Sequence, residues 1–511
     1  MGPIASRRRQ AKRPQRFDLE ALRLDETAAE PLYRQLEARL KEAILAGRLQ
    51  PGERLPSTRR LARDLAVARN TTINAYNQLI VEGYLVTQAG SGTRVALDLP
   101  EHLLQVAGRA QATKRPAQAP HIAAAVAERL VAVNDWIKDE VDRPARPFRA
   151  HTPASDAFPR ALWAQLMTRR LREMSRHWLE RGDPRGYRPL REAIAGYLGS
   201  ARGVTCEPDQ VIVTAGAQQA VEILAKLLIE PGDRVCMEDP GYRPAGVTFE
   251  LAGAEVVPIP VDEEGIDVAA LHEKAPKAKL VYVTASSQFP LGMTLSLPRR
   301  LALLEWAEQA GALVLEDDYS GEYRYAGRPL PALHGLAPPG RVLYTGSFSK
   351  LLFPSLRIGY VVAPPEIVGH LAAARWLIDR HSPPLEQAVL ADFIDQGHFA
   401  RHVRRMRTLY AERQAALVEA AAKELAGIMT VPAQSAGLHL IGWLAPQTAE
   451  AKLLAAASAV GIELMPVSWF SIEPRERAGV ILGYAPFAAR EIRLGAKALK
   501  RAHEQGRGTP R

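Results

Sequence analysis

The sequence predicts a two-part chain: a small α+β unit of three helices and a hairpin, then a long α/β domain with a largely parallel sheet and a smaller terminal lobe. Three observations predict it. At 511 residues the chain exceeds what one hydrophobic core usually holds. Residues 31–97 show apolar residues at helical spacing in three successive stretches, then two short β-prone runs around a glycine-rich turn. From Pro147 onward, strand-like apolar runs alternate with helical ones. The composition, 47% hydrophobic and 24% charged, is that of a soluble globular protein, and no apolar run approaches the roughly 18 residues of a membrane span. An arginine-rich N-terminus without an apolar stretch is not a secretory signal, so the chain reads as cytoplasmic. Cys206 and Cys236 form no metal-ligand pattern and read as ordinary buried thiols.

Charge singles out the N-terminal part. The net charge is +10, and residues 1–97 hold 17 Lys and Arg against 10 Asp and Glu. Charge so concentrated points to a polyanionic partner. Residues 1–24, with Arg7-Arg8-Arg9, Lys12-Arg13 and Arg16, read as a disordered basic arm. Leu32, Leu36, Leu40 and Ile44 mark the first helix, ended at Ala46-Gly47. Ser57 is a plausible N-cap for the second, and the third runs from about Arg69 to Glu82. Leu85–Gln88 and Thr93–Val95 then pair as a hairpin turning at Ala89–Gly92. Three helices and a hairpin over residues 25–97 make a winged helix-turn-helix. L-P-S-x-R-x-L-A, A-Y-x-x-L, E-G-Y-L and G-S-G-T within it resemble the GntR class. The resemblance implies double-stranded operator DNA as partner, with the third helix in the major groove. Arg69, Asn70, Thr71, Thr72 and Asn74 would then reach bases or phosphates, Arg59 opens the second helix, and the Gly90 and Gly92 wing approaches the minor groove. Between Arg54 and Thr72 five arginines stand against Asp64 alone, whereas a solvated face mixes signs.

Residues 98–147 shift to Ala, Gln, Pro and basic residues and read as an interdomain linker, with helical spacing over 122–141. The α/β domain spans 148–506, including a helical stretch from about Glu386 through Arg405 to Leu425.

Its chemistry centres on Ser347-Phe348-Ser349-Lys350, followed by Arg357, after the apolar strand Val342–Tyr344. An amine, two hydroxyls and a guanidinium in one turn suit an aldehyde-bearing phosphate cofactor: the amine forms a Schiff base and the others hold the phosphate. A lone S-x-S-K would be a surface loop, but Leu313–Leu315 leads upstream into Glu316-Asp317-Asp318-Tyr319. A carboxylate at a strand end can pair with a protonated pyridine nitrogen. Thr214-Ala215-Gly216-Ala217-Gln218 forms a small-residue strand-to-helix turn whose amides favour an anion.

E-D-D-Y, G-R-P-L-P-A-L and S-F-S-K-x-L-F-P-S-L-R-x-G-Y resemble the MocR/GabR regulators, which fuse a GntR-type winged helix to a fold-type I aminotransferase-like domain. The resemblance implies pyridoxal 5'-phosphate bound by Lys350, with Asp317 on the ring nitrogen and Tyr242 stacked on the ring. It implies Gln288 and Tyr319 on the phenolic oxygen, and Ser347, Ser349, Arg357, Gly216, Ala217 and Gln218 around the phosphate. It also implies a homodimer and a small amine or amino-acid effector, or the cofactor itself, sensed at Lys350, with Arg243 a candidate for an effector carboxylate. Four departures stand out: Ala285 and Ser287 replace the usual proline and histidine of T-P-x-H-Q-x-P-x-G, Arg181 a tyrosine before G-D-P, and Ile481 lies where many transaminases carry a carboxylate-binding arginine. Arg475 and Arg477 are close to Ile481 in sequence but read as loop residues. Two alternatives stay open: a working aminotransferase with a regulatory DNA-binding module, and a DNA-binding protein using the second domain only to dimerise.

Overall fold

The computed structural model describes residues 24–25, 27–88, 92–99, 146–174, 178, 180, 182–325 and 331–507. The arm, nearly all of the linker with its expected helix, Gly90 and Arg181 lie outside the described residues. Two compact units form, residues 1–123 and 124–511.

The first unit contains α1 (Leu32–Leu45), α2 (Thr58–Asp64), α3 (Arg69–Val81) and the hairpin β1 (Leu85–Gln88) and β2 (Gly92–Val95). The apolar stripe of α1, Leu36, Leu40 and Ile44, packs with Leu61, Tyr76 and Leu79 into one core. Ser57 caps α2 by accepting from the Arg60 amide. Tyr76 donates from its hydroxyl to the Pro56 carbonyl, 2.9 Å, fixing α3 against the entry to α2.

The second unit opens with α4 (Arg160–Arg172) and α5 (Arg188–Ala201). The run β3 (Val211–Thr214), α6 (Ala217–Leu228), β4 (Arg234–Asp239), α7 (Arg243–Leu251), β5 (Glu255–Asp262), β6 (Gly265–Ile266) and α8 (Val268–Lys274) follows. Next come β7 (Leu280–Val283), α9 (Leu297–Ala310), β8 (Leu313–Asp318), β9 (Val342–Ser347) and β10 (Gly359–Val362). These strands build an eight-stranded sheet in the order β3-β10-β9-β8-β7-β4-β5-β6. Strands β5, β4, β7, β8 and β9 run parallel, whereas β10 is antiparallel to both its neighbours. The central strands β7, β9 and β10 are buried on both faces, so they read as continuous apolar runs rather than alternating ones.

After α10 (Pro365–Asp379), the expected helical stretch from Glu386 to Leu425 is two helices, α11 (Pro384–Asp395) and α12 (His398–Glu424). They break at Gln396-Gly397, where Gly397 takes φ +71°, a conformation that ends a helix at little cost only for glycine. The small lobe adds β11 (Met429–Thr430), β12 (His439–Leu444), α13 (Glu450–Ala459), β13 (Met465–Pro466), β14 (Gly479–Gly483) and α14 (Ala489–Arg507), its sheet ordered β11-β12-β14-β13. Cys236 is buried and Cys206 half-buried, and no disulfide joins them. No described helix is long and apolar enough to cross a membrane.

Candidate cofactor and DNA sites

The site grows from where three strands stop. Because β10 lies between β3 and β9, Gly359 pairs with Thr214 on one side and Ser347 on the other. The turns leaving β3 and β9 are therefore neighbours, although 133 residues separate Thr214 from Ser347 in the chain. Gly216 takes φ +115° at the start of α6, and a Cβ there would lie 3.3 Å from Arg357 Nη2. The Arg357 guanidinium thus sits against the open N-terminus of α6. The Ala217 and Gln218 amides at that end lack intrahelical acceptors, and the helix dipole favours an anion there. Ser347 Oγ accepts from the Ser349 amide, 3.2 Å, and the buried Ser349 Oγ has no protein partner. These groups line the turn where the sequence places an anion cradle, and one side chain is directed differently. The Gln218 side chain donates instead to Thr248 Oγ1, 2.8 Å, and to the Pro244 carbonyl, so only its backbone remains in the cradle.

The three acids ending β8 divide by strand alternation. Glu316 accepts from the Leu333 and His334 amides and so anchors a loop. Asp318 accepts from Tyr344 and lies 2.6 Å from the Arg202 guanidinium; burial opposes its ionisation, but Arg202 holds its pKa below the ordinary value. Asp317 points to the other face. Its Oδ2 accepts from the Tyr282 hydroxyl at 2.6 Å, while the buried Oδ1 has no protein partner. Burial pushes the Asp317 pKa up to about 7. The Tyr319 hydroxyl is likewise buried, with the Ser287 and Ser320 hydroxyls near it. Lys350 Nζ donates to the backbone carbonyl of His151, 2.7 Å.

Above this floor stands an aromatic wall. Phe289 is its hub, with Tyr242 at 5.7 Å, Tyr319 at 6.0 Å, Phe470 at 5.1 Å and His151 at 5.1 Å between ring centroids. His439 stands 5.3 Å from His151. The segment carrying Phe470 is tied to the end of β4: the Gly241 amide donates to the Phe470 carbonyl, and Asp239 accepts from the Ile472 and Glu473 amides at 2.8 and 2.9 Å.

Two expected site residues are placed differently. The Gln288 amide donates to the Pro240 and Phe289 carbonyls and accepts from the Leu291 amide, so it braces its own loop instead of offering a donor to a phenolic oxygen. Arg243 lies back along α7, its Nη1 4.0 Å from Glu250, packed against Gly246 and buried without a hydrogen-bond partner. Sequence reasoning missed His151, His439, Phe470 and Tyr282. Tyr282 stands in register with Leu315 on the strand beside Asp317, a pairing that only the fold reveals.

In the first unit Arg59, Arg69, Asn70 and Asn74 are exposed and Thr71 is half-buried. Thr72 is not on that surface. It is fully buried and donates to the Arg69 and Thr58 carbonyls, stitching α3 to the start of α2. Gly92, φ +85°, leaves space that a Cβ would fill 3.1 Å from Arg54 Nε.

Fold and sites together define a helix-turn-helix reader carried on an aminotransferase-type domain. Residues 32–95 match the bacterial regulatory proteins of the gntR family, and residues 152–480 match aminotransferase class I and II. The chain is 40% identical over 486 residues to the probable rhizopine catabolism regulatory protein MocR of Rhizobium meliloti, covering 94% of this chain and 95% of that protein. It is 34% identical to the pyridoxine biosynthesis transcriptional regulator PdxR of Corynebacterium glutamicum, covering 80% of this chain and 82% of that one. Among solved structures, the kynurenine aminotransferase of Pyrococcus horikoshii superposes with a TM-score of 0.69 at 26% identity, covering 76% of this chain and 99% of that one. The α-aminoadipate aminotransferase LysN of Thermus thermophilus superposes at 0.68 and 28%, covering 75% and 98%. The chain belongs to the MocR-type HTH transcription regulators, with a gntR domain joined to a class I and II aminotransferase domain.

Proposed function

We propose that this regulator holds pyridoxal 5'-phosphate at Lys350, senses a small primary amine there, and answers by changing how its winged helices, paired in a homodimer, grip operator DNA. The observation that carries the reading is Asp317 Oδ1, a buried carboxylate oxygen with no protein partner in the same pocket as Lys350. A buried acceptor left open loses about 1–3 kcal/mol, which a protonated ring nitrogen would return. The fit extends to the rest of the cofactor: the cradle of Gly216, Ala217, Gln218, Ser347, Ser349 and Arg357 suits a phosphate, and the buried Tyr319 hydroxyl suits a phenolic oxygen. Tyr242, next to the Phe289 hub, is the candidate to lie against the ring. When bound, the group supplies an aldehyde that condenses with primary amines.

The chain's own residues do the remaining work. Asp317 fixes charge on the ring nitrogen, Tyr282 orients Asp317, and Arg357 with the helix amides anchors the phosphate. Regulation requires the amine to bind two arrangements of the molecule unequally. The linkage is tested by the absorbance of purified protein. The cofactor band and its shift on adding amines should both vanish in Lys350→Ala while the circular dichroism stays that of folded protein; persistence of both would sink the reading. A second reading, a working aminotransferase, is favoured by the TM-score of 0.69 with an aminotransferase. Multiple turnovers with a keto-acid acceptor would establish it.

A further inference from the structure

The chain enters the second domain at Phe148, directly after the stretch that reads as linker. Two non-glycine residues there hold left-handed backbone, Phe148 at φ +68° and His151 at φ +64°. Residues with side chains rarely adopt that region, and they keep it only where their surroundings impose it. The small lobe imposes the first of the two. The Gly483 amide donates to the Phe148 carbonyl at 2.8 Å, the Glu463 amide donates to the Pro147 carbonyl at 3.1 Å, and Arg149 lies 3.6 Å from Glu463. Phe148 is fully buried, and a Cβ on Gly495 would stand 3.1 Å from its Cζ.

The second is held from the cofactor site. The His151 ring packs among Phe289, Phe470 and His439, and its carbonyl accepts from Lys350 Nζ at 2.7 Å. The reactive amine is thus bonded to backbone three residues from the point where the linker joins. That bond needs a proton on the lysine nitrogen. A primary amine has protons to donate, whereas a nitrogen doubly bonded to the cofactor's carbon keeps at most one, beside the phenolic oxygen of the ring.

We propose that Lys350 is a two-position latch: joined to the cofactor it leaves the His151 carbonyl, and displaced by an incoming amine it closes on it. The proposal rests on the reading that Lys350 holds the cofactor, and it names how occupancy of the pocket is passed to the rest of the chain. In the exchange the effector's nitrogen forms the double bond to the cofactor's carbon as the bond from that carbon to the lysine nitrogen breaks. Starting from the unprotonated linkage, two protons pass from the incoming nitrogen to Lys350, and nothing is oxidised or reduced. Closed, the latch pins the left-handed turn at His151. Open, residues 148–151 lose one of their two anchors, and the segment that continues into the linker relaxes.

The test separates filling the site from bonding to Lys350. Full-length protein is saturated with pyridoxal 5'-phosphate or with pyridoxamine 5'-phosphate, which suits the same cradle but has no aldehyde to join the lysine. Hydrogen–deuterium exchange is read by mass spectrometry on peptides carrying the Arg149, Glu463 and Gly483 amides, which donate to the Arg146, Pro147 and Phe148 carbonyls. Exchange should be about fivefold slower in the pyridoxamine form, the worth of one hydrogen bond. Lys350→Ala saturated with pyridoxamine 5'-phosphate should exchange as fast as the pyridoxal-loaded wild type. Equal rates in the two wild-type forms, or slow exchange that persists in Lys350→Ala, overturns the latch and leaves the cofactor reading standing on its absorbance band. A wild-type protein that takes up neither form overturns both.

Discussion

At the scale of single residues, the pocket is defined by polar atoms that the fold buries without satisfying. Asp317 shows what this entails for pH. Its pKa rises from the ordinary aspartate value to about 7 because it is buried. An acid raised on folding favours the folded state at low pH and loses that contribution as pH climbs from about 4 to about 7. Cofactor-free Asp317→Asn should therefore melt at nearly the wild-type temperature below about pH 4 and several degrees above it at pH 8. Comparing the two proteins cancels the buried Glu316, raised by burial to about 7; Glu238, raised likewise by burial and further by the Asp317 charge, adds to the difference in the same direction. An equal difference at both pH values would refute the assignment. Asp317 was named from its place at a strand end and from the E-D-D-Y motif, whereas its turning away from Glu316 and Asp318 is what the structure adds. The directions taken by Gln288 and Gln218 were not legible, since a motif gives a residue's place on the backbone but not which carbonyl its amide finds. His151 lies in an irregular segment with no period to betray it.

Among elements, the antiparallel insertion of β10 is what assembles the anion cradle. It sets the turns after β3 and β9 side by side, so that Gly216 and Arg357 share one space. Gly216→Ala should weaken cofactor binding by about tenfold or more, since a methyl group 3.3 Å from Arg357 Nη2 and a disfavoured φ both act on the cradle. Equilibrium dialysis against pyridoxal 5'-phosphate measures this, and wild-type affinity would show that the phosphate lies elsewhere. The alternation of strands and helices was plain in the sequence, whereas the strand order was not. A run such as Gly359–Val362 carries the same apolar signature whichever direction it runs. The division of the helical stretch at Gly397 was visible only as a lone glycine, and glycines also occur within helices, as Gly196 does in α5.

For the molecule as a whole, charge and chemistry fall in different units. Basic residues concentrate in the first 97 positions, and Arg59 and Arg69 are exposed there. Replacing either by alanine should lower the slope of log affinity against log salt by about 1 on any duplex, as expected when one phosphate is no longer neutralised by the protein. Fluorescence anisotropy across a salt series reads the slope, and no change would remove that residue from the DNA interface. The two-unit organisation was readable from composition alone, because a basic helical module, a Pro- and Ala-rich stretch and an alternating domain differ in kind. The tether from Asp239 to the Ile472 and Glu473 amides was beyond such reading. It roots the loop that carries Phe470 in the large lobe, so any displacement of that backbone strains bonds at the tip of β4.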